Sequence, residues 1–134
     1  MITAVDTNII LDVFQRDAAH WMTSRDLLVE CYGAGGIAVS AVVYAELARP
    51  FHHQTALDNA LRTLNVRVDP ITDDIAFLAG LRWGAYRAAG GGRSRILPDF
   101  LIGAHALACA DRLLTRDRGF YRTYFSDLDQ VGNE

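Results

Sequence analysis

The chain has 134 residues, of which 51% are hydrophobic and 22% are charged, and its formal net charge at pH 7 is −3. This length and apolar content predict one compact domain over residues 1–134. The slightly acidic balance disfavours a simple electrostatic nucleic-acid binder, which would usually be basic. The 13 basic residues are all arginines, and the lack of lysine excludes mechanisms that need a lysine amine, such as P-loop or Schiff-base chemistry.

Targeting signals and cysteine usage indicate where the protein acts. No apolar run approaches the roughly 20 residues that span a bilayer, and the N-terminus lacks the pattern of a signal peptide. The two cysteines, Cys31 and Cys109, lie in apolar helical patterns without the spacing of a zinc site. We therefore expect reduced, buried thiols in a cytoplasmic protein that makes no membrane contact.

Four short segments have the pattern of strands. Residues 2–6 form an apolar run with β-branched members, and residues 37–40 and 112–115 are similar. Residues 66–69 alternate in the way that is typical of a half-exposed or edge strand.

Helical patterns lie between these strands. The pattern over residues 21–32 ends before Gly33, a candidate C-cap, and another begins near Thr55 with a sequence similar to a capping box. Thr72 is a candidate N-cap, and residues 98–110 are apolar almost all round, which predicts a deeply buried helix. Alternating strands and helices predict an α/β fold, a three-layer α/β/α sandwich whose central, mainly parallel sheet has four to five strands.

Acidic residues follow the ends of the predicted strands. Because a parallel α/β sheet binds ligands outside the carboxyl ends of its strands, at the point where the strand order reverses, we expect four carboxylates to converge there: Asp6, Glu46, Asp99 and Asp117. Taken singly, each has an ordinary alternative: a helix cap for Asp6, a helix surface for Glu46, a helix-dipole partner for Asp99 and a turn for Asp117.

Taken together, these acids predict a cation site. Two carboxylates 4 Å apart repel by roughly 4 kcal/mol at an effective dielectric constant near 20. A divalent cation would offset this repulsion, and oxygen ligands without suitably spaced histidines or cysteines favour Mg²⁺ or Mn²⁺ over zinc. Two polar residues fit a supporting role: Asn8 could orient an Asp6 oxygen or a bound water, and Thr115 could donate to a ligand carboxylate. The alternatives, a helix cap for Asn8 and a strand-end hydroxyl for Thr115, stay open.

The segments that carry these residues resemble the four signature segments of PIN domains. They are "MITAVDTNIILDVF", "IAVSAVVYAELARP", "ILPDFLIGAHALA" and "RLLTRDRGF", and the likeness is greatest to the VapC toxin ribonucleases. Their order and spacing agree with the family over essentially the whole chain. The resemblance implies a Mg²⁺- or Mn²⁺-dependent endoribonuclease that forms a homodimer and is inhibited by a VapB-type antitoxin, whose C-terminal segment occupies the active-site groove. It also implies the acidic quartet Asp6, Glu46, Asp99 and Asp117, with Asn8 and Thr115 as its polar auxiliaries.

Two features depart from the resemblance. His105 stands where relatives more often carry a small or hydroxyl residue, and a packed or surface histidine is favoured over one that faces the groove. The C-terminal segment "YFSDLDQVGNE" is weaker than a typical last strand.

The resulting hypothesis is the hydrolysis of an RNA phosphodiester. Asp6 and Asp99 would bind metal directly, whereas Glu46 and Asp117 would bind it directly or through water, or help to deprotonate the nucleophile. Arginines near the site are predicted, as a group, to contact RNA: Arg49, Arg93, Arg95, Arg116 and Arg118. The alternative is a catalytically silent PIN scaffold that serves in protein or RNA binding.

Overall fold

The computed structural model describes residues 1–16, 19–92 and 97–134. Within them the chain forms a five-stranded sheet with strand order β3-β2-β1-β4-β5, and every neighbouring pair of strands is parallel. Helices flank this sheet, so the predicted α/β fold is confirmed. The elements are β1 (Ile2–Val5), α1 (Thr7–Gln15), α2 (Trp21–Ala34), β2 (Gly36–Ser40), α3 (Ala41–Leu47), α4 (Gln54–Thr63), β3 (Val66–Asp69), α5 (Asp73–Ala88), α6 (Leu97–Cys109), β4 (Arg112–Leu114), α7 (Phe120–Tyr124) and β5 (Gln130–Val131).

The central strands are buried, as their continuous apolar patterns predict. Val5, Val39 and Leu113 are inaccessible to solvent or almost so, which is typical of parallel strands covered on both faces. The edge strand β3 exposes Val68, in line with its alternating pattern. The weak C-terminal pattern yields only the two-residue strand β5, which pairs with β4.

The end of α2 differs from the prediction. The helix continues through Gly33, and Gly35 is its C-cap, with its N–H donating to the carbonyl of Cys31. Gly35 has a φ of +149°, and a Cβ at this position would overlap the carbonyl oxygen of Met1. Gly35 is therefore required by both its backbone conformation and the close approach of the N-terminal segment.

The helices α4 and α5 differ in how they begin. Thr72 caps α5, since its hydroxyl accepts a hydrogen bond from the N–H of Ile75 at 3.3 Å. The capping-box start predicted near Thr55 was wrong, because α4 begins one residue earlier and its N-cap His53 makes no side-chain cap bond. Packing of the apolar face of this helix, including the buried Leu57, outweighs the local capping signal.

The helix α6 is deeply buried, as predicted. Phe100 and residues 102–106 are buried, and the helix packs against β1, α3 and α5. A Cβ at Gly103 would lie 2.5 Å from the ring of Phe125, so this position admits no side chain unless that ring moves. Of the helices that the structure describes, none is both long and apolar enough to cross a membrane.

Candidate active site

The strand order reverses between β1 and β4. From the central β1 the chain builds the sheet outward through β2 and β3, and then returns to add β4 and β5 on the other side. The carboxyl ends of β1 and β4 therefore flank the switch point, where this fold class binds its ligands. Asp6 follows β1 and Thr115 follows β4, and the Thr115 hydroxyl donates to Asp6 Oδ2 at 2.7 Å.

Asp6 is a buried carboxylate held by the backbone and by Thr115. Its side chain caps α1, with Oδ1 accepting from the N–H of Thr7 at 2.8 Å, so the ordinary alternative of a helix cap also applies. The residue is only 7% exposed. These contacts fix the orientation of both carboxylate oxygens at the carboxyl end of the sheet.

The structure brings Glu46 and Asp99 into the electrostatic environment of Asp6. The pKa of Asp6 is raised to about 6, chiefly by burial; the charges of Asp99 and Glu46 also raise it, and hydrogen bonds from Thr115 and Thr7 oppose the rise. Glu46 is exposed rather than part of the buried face of α3, and its Oε1 accepts from the Thr7 hydroxyl at 2.6 Å. Carboxylates from α3 and α6 thus repel that of Asp6 at the switch point.

Asp117 is connected to Asp6 through Thr115. The N–H of Asp117 donates to Thr115 Oγ1 at 3.1 Å, and the same hydroxyl donates to Asp6. Asp117 Oδ1 accepts from the N–H groups of Gly119 and Phe120, at 3.0 and 2.9 Å, where α7 begins. This arrangement agrees with the turn interpretation and fixes the Asp117 carboxylate beside the carboxyl end of β4.

Asn8 lies in the first turn of α1. Because Asp6 is the cap of that helix, the interpretation of Asn8 as a helix cap was wrong. The buried Oδ1 of Asn8 has no hydrogen-bond partner within the described ranges. A buried acceptor without a partner costs about 1–3 kcal/mol, which a bound water or hydrated cation would offset.

These donors fit a hard divalent cation. The convergent groups are carboxylate oxygens, one of them buried with a raised pKa, and an amide oxygen without a partner lies two residues from it in the chain. Oxygen ligands of this kind suit Mg²⁺ and Mn²⁺.

Comparison with known proteins identifies the family. The sequence model of the PIN domain matches residues 3–126. The chain belongs to the PIN-domain family. The predicted resemblance to PIN domains is therefore confirmed, and no curated protein matches the sequence significantly.

Solved structures share the fold of this PIN domain. A chain of the VapBC2 complex of Rickettsia felis, bound to a DNA fragment from its promoter, matches with a TM-score of 0.71 and 20% identity over 97% of each chain. A toxin–antitoxin complex from Klebsiella pneumoniae matches with a TM-score of 0.65 and 25% identity over 89% of each chain. VapC20 of Mycobacterium tuberculosis, described as a toxin that cleaves the sarcin-ricin loop, matches with a TM-score of 0.58 and 19% identity over 93% of this chain and 94% of that one.

A second buried carboxylate, Asp12, lies next to the acidic site of the PIN domain and was missed in the sequence. Its Oδ2 accepts from Ser24 Oγ at 2.6 Å, and its two oxygens accept from Arg116 Nε and Nη2 at 2.9 and 3.1 Å. Burial acts to raise the pKa of Asp12, but the hydrogen bonds from Arg116 and Ser24 hold it below its ordinary value. A charged residue inside the apolar run "IILDVF" was the available signal, since such a charge requires a partner.

The arginines predicted to contact RNA have different surroundings. Arg116 and Arg118 flank Asp117 in the chain. Arg116 pairs with Asp12, whereas Arg118 is exposed. Both line a cavity of about 230 Å³ together with His20, Thr23 and Ser24. Arg49 is exposed just beyond α3, whereas Arg93 and Arg95 lie outside the described residues.

The histidine of α6 is packed, as the sequence favoured. His105 is 1% exposed, and its Nε2 lies 2.9 Å from Oδ2 of Asp69 at the end of β3. The two cysteines are free, but only Cys31 is buried as expected, since Cys109 is half-buried.

Proposed function

We propose that this PIN domain is a divalent-cation-dependent endoribonuclease that acts in the cytoplasm as the toxin of a type II toxin–antitoxin pair. The observation that carries the proposal is the acidic centre at the switch point. There, Asp99 and Glu46 add to the burial that raises the pKa of Asp6 to about 6. Such a centre is stable at neutral pH when a cation neutralises it.

Four residues would hold the cation, Mg²⁺ or Mn²⁺. In this proposal Asp6 and Asp99 are direct ligands, and Glu46 and Asp117 bind directly or through water. When bound, the ion would polarise the scissile phosphate and lower the pKa of an attacking water.

Hydrogen bonds within the chain orient the carboxylates of Asp6 and Glu46. Thr115 and the N–H of Thr7 fix the two oxygens of Asp6, so the carboxylate needs little reorganisation to bind a ligand. Thr7 also holds one oxygen of Glu46 through its hydroxyl. Because Glu46 is exposed and keeps a second oxygen, it can accept a proton from a water in the groove.

RNA would cross the rim formed by the arginines. The cavity is lined by Arg116 and Arg118, which flank Asp117 in the chain, and guanidinium groups pair well with phosphate oxygens. Arg49 is exposed just beyond the helix that carries Glu46 and would belong to the same rim. We assign Arg93 and Arg95 to the same role as members of the predicted group.

Two apolar surfaces support the proposed protein partners. A cavity of about 360 Å³ at the junction of α3 and α4 is lined by Phe51 and Leu57 together with polar side chains, and it would accept a segment of a VapB-type antitoxin. On α5, Phe77 and Leu81 are 69% and 58% exposed one turn apart, and they would pack in a homodimer. The antitoxin complexes from Rickettsia felis and Klebsiella pneumoniae are consistent with such a partner.

Cleavage of total cellular RNA by the purified protein tests the proposal. We expect cleavage with Mg²⁺ or Mn²⁺, none with EDTA, and a loss of roughly 100-fold or more in Asp99→Asn. Asp73→Asn is the matched control, because Asp73 is also an acid in the first turn of a helix but lies on α5. It should keep wild-type activity.

The opposite result would favour the alternative. If the wild-type protein binds RNA or an antitoxin but shows no metal-dependent cleavage, the chain is a catalytically silent PIN scaffold. Equal activity in Asp99→Asn and wild-type protein, after contaminating nucleases are excluded, would contradict the assignment of the site.

A further inference from the structure

A second cluster of side chains that could bind a metal lies between the C-terminal half of α6 and the edge strand β3. It consists of Asp69, His105 and Cys109, whose ligand atoms all lie within 4.8 Å of one another. His105 and Cys109 are four residues apart on α6 and therefore share one face of the helix, whereas Asp69 closes β3. His105 is six residues beyond Asp99, about 9 Å along the helix axis, so this cluster is separate from the acidic centre.

The donor set differs in kind from that of the acidic centre. An imidazole nitrogen and a thiolate sulfur are soft or borderline ligands, and with one carboxylate they suit Zn²⁺ rather than Mg²⁺. Tetrahedral coordination places ligand atoms about 3–4 Å apart, so small side-chain adjustments would bring these three onto one ion.

The carboxylate of Asp69 is hydrogen-bonded in the way that is usual for carboxylates that bind a metal. Its Oδ1 accepts from Arg67 Nε at 2.7 Å, while its Oδ2 accepts more weakly from Arg67 Nη2 at 3.3 Å and faces His105 Nε2 at 2.9 Å. A cation bound at Oδ2 would leave the stronger Arg67 hydrogen bond in place, and hydrogen-bonded carboxylates of this type are usual around protein-bound metals. The ion would lie between Nε2 and Oδ2.

We propose that Asp69, His105 and Cys109 form a Zn²⁺ site that clamps the edge strand β3 to the last turns of α6. The thiol proton of Cys109 is released when zinc binds at its Sγ, and the neutral ring of His105 binds through Nε2 with its one proton on Nδ1. Water completes the coordination, because Asp69 and Cys109 are only partly buried. The site is independent of the proposed nuclease activity.

Cobalt substitution tests this site with a readout other than catalysis. The EDTA-treated protein is titrated with Co²⁺, which adopts zinc geometries and gives a thiolate-to-metal charge-transfer band in the near ultraviolet. We expect one equivalent of Co²⁺ to produce this band in the wild-type protein and Zn²⁺ to displace it. The band should vanish in Cys109→Ser and persist in Cys31→Ala, a control that alters the other, buried thiol.

Two further variants separate the cluster from the acidic centre. Asp69→Asn keeps the thiol and should weaken Co²⁺ binding by roughly tenfold or more. Zn²⁺ should raise the Tm of the wild-type protein, and the double variant Asp6→Asn/Asp99→Asn should keep both the band and this rise in Tm. Absence of the band from the wild-type protein, or an unchanged band in Cys109→Ser, would overturn the proposal.

Discussion

Two buried carboxylates of one helix illustrate what distinguishes a structural acid from a candidate ligand. Asp6 caps α1 and Asp12 lies within it, and they are 7% and 3% exposed. Burial acts to raise the pKa of both residues. The pKa of Asp12 is nevertheless lowered, because Arg116 and Ser24 bind it, whereas that of Asp6 reaches about 6, beside Asp99 and Glu46.

The difference lies in the source of the compensating charge. For Asp12 the chain supplies a guanidinium from the loop after β4. For Asp6 the nearby charges that shift its pKa are negative, and in our account the compensating cation comes from solution.

The largest expected effect on stability comes from replacing Asp12. Asp12→Ala removes the carboxylate that accepts from Arg116 and Ser24 and should reduce the free energy of unfolding by about 3 kcal/mol, the lower end for a buried pair because Arg116 is partly exposed. Urea denaturation measures this. The control Asp26→Ala removes an exposed acid paired with Arg25 and should cost less than about 1 kcal/mol. Similar losses in the two variants would contradict the structural role of Asp12.

A divalent cation should stabilise the protein by binding at Asp6 and not at Asp12. At about 100 times its dissociation constant, Mn²⁺ should raise the free energy of unfolding of the wild-type protein by roughly 2.7 kcal/mol. The same titration should leave Asp6→Asn almost unchanged and stabilise Asp12→Ala as much as the wild type. An equal response in Asp6→Asn would place the bound ion elsewhere.

Removing the charge of Asp6 should stabilise the metal-free protein. Because its pKa is raised in the folded state, the folded chain binds more protons than the unfolded chain between about pH 4 and pH 6, so stability falls as the pH rises through that window. Asp6→Asn removes this penalty while keeping an acceptor for the Thr7 N–H. We expect a gain of about 2 kcal/mol above about pH 6 and none below about pH 4.

Chemical denaturation in EDTA across this pH range measures the gain. Asp73→Asn is the control and should show no comparable change over the same window. A gain in Asp6→Asn that is as large at the acidic end as at neutral pH would show that charge repulsion is not its cause.

Thr115 should tune the acidity of Asp6. Thr115→Val removes a hydrogen bond that favours the ionised carboxylate, so the pKa of Asp6 should rise further and stability should fall by about 1 kcal/mol. Carboxyl ¹³C chemical shifts across a pH titration report the pKa. Thr3→Val, which loses a hydrogen bond from Arg112 at a buried threonine of β1, should leave the Asp6 titration unchanged. An unaltered Asp6 pKa in Thr115→Val would refute the coupling.

The smallest effect concerns the basic rim. Arg118→Ala should weaken RNA binding and reduce the slope of log K against log salt concentration by about 0.7, the value for one phosphate contact on a single strand. Arg62→Ala, at an exposed arginine on α4, is the control and should not change the slope. A slope unchanged in Arg118→Ala would remove this residue from the RNA interface.

The sequence predicted most of the architecture because its signals were local. Apolar runs and helical spacing located the buried strands and α6, and the position of Asp6 after a strand, together with the switch-point rule, placed it beside Thr115. The cap at Gly35 was missed, because what requires glycine there is the approach of Met1 from another part of the chain. The pair of Asp12 and Arg116 was missed for the same reason, since the two residues are 104 positions apart.

For a related reason, the sequence predicted the positions of the acidic residues but not the orientation of their side chains. Residue type and strand position predict which acids share an edge of the sheet, but not how each side chain turns. Glu46 is exposed and held by Thr7, and the Asp117 carboxylate accepts two backbone hydrogen bonds in its turn. The contact between His105 and Asp69 depends on how α6 crosses β3, which the sequence pattern does not encode.

The most direct test of a cation site at the switch point is an anomalous difference map from a crystal soaked in Mn²⁺ and recorded near the manganese absorption edge. Our account predicts a peak within coordination distance of the Asp6 and Asp99 carboxylates, lost when Asp6 is replaced by asparagine. A map with manganese bound only elsewhere on the protein, or with the Asp6 carboxylate paired to an arginine of the chain, would contradict it.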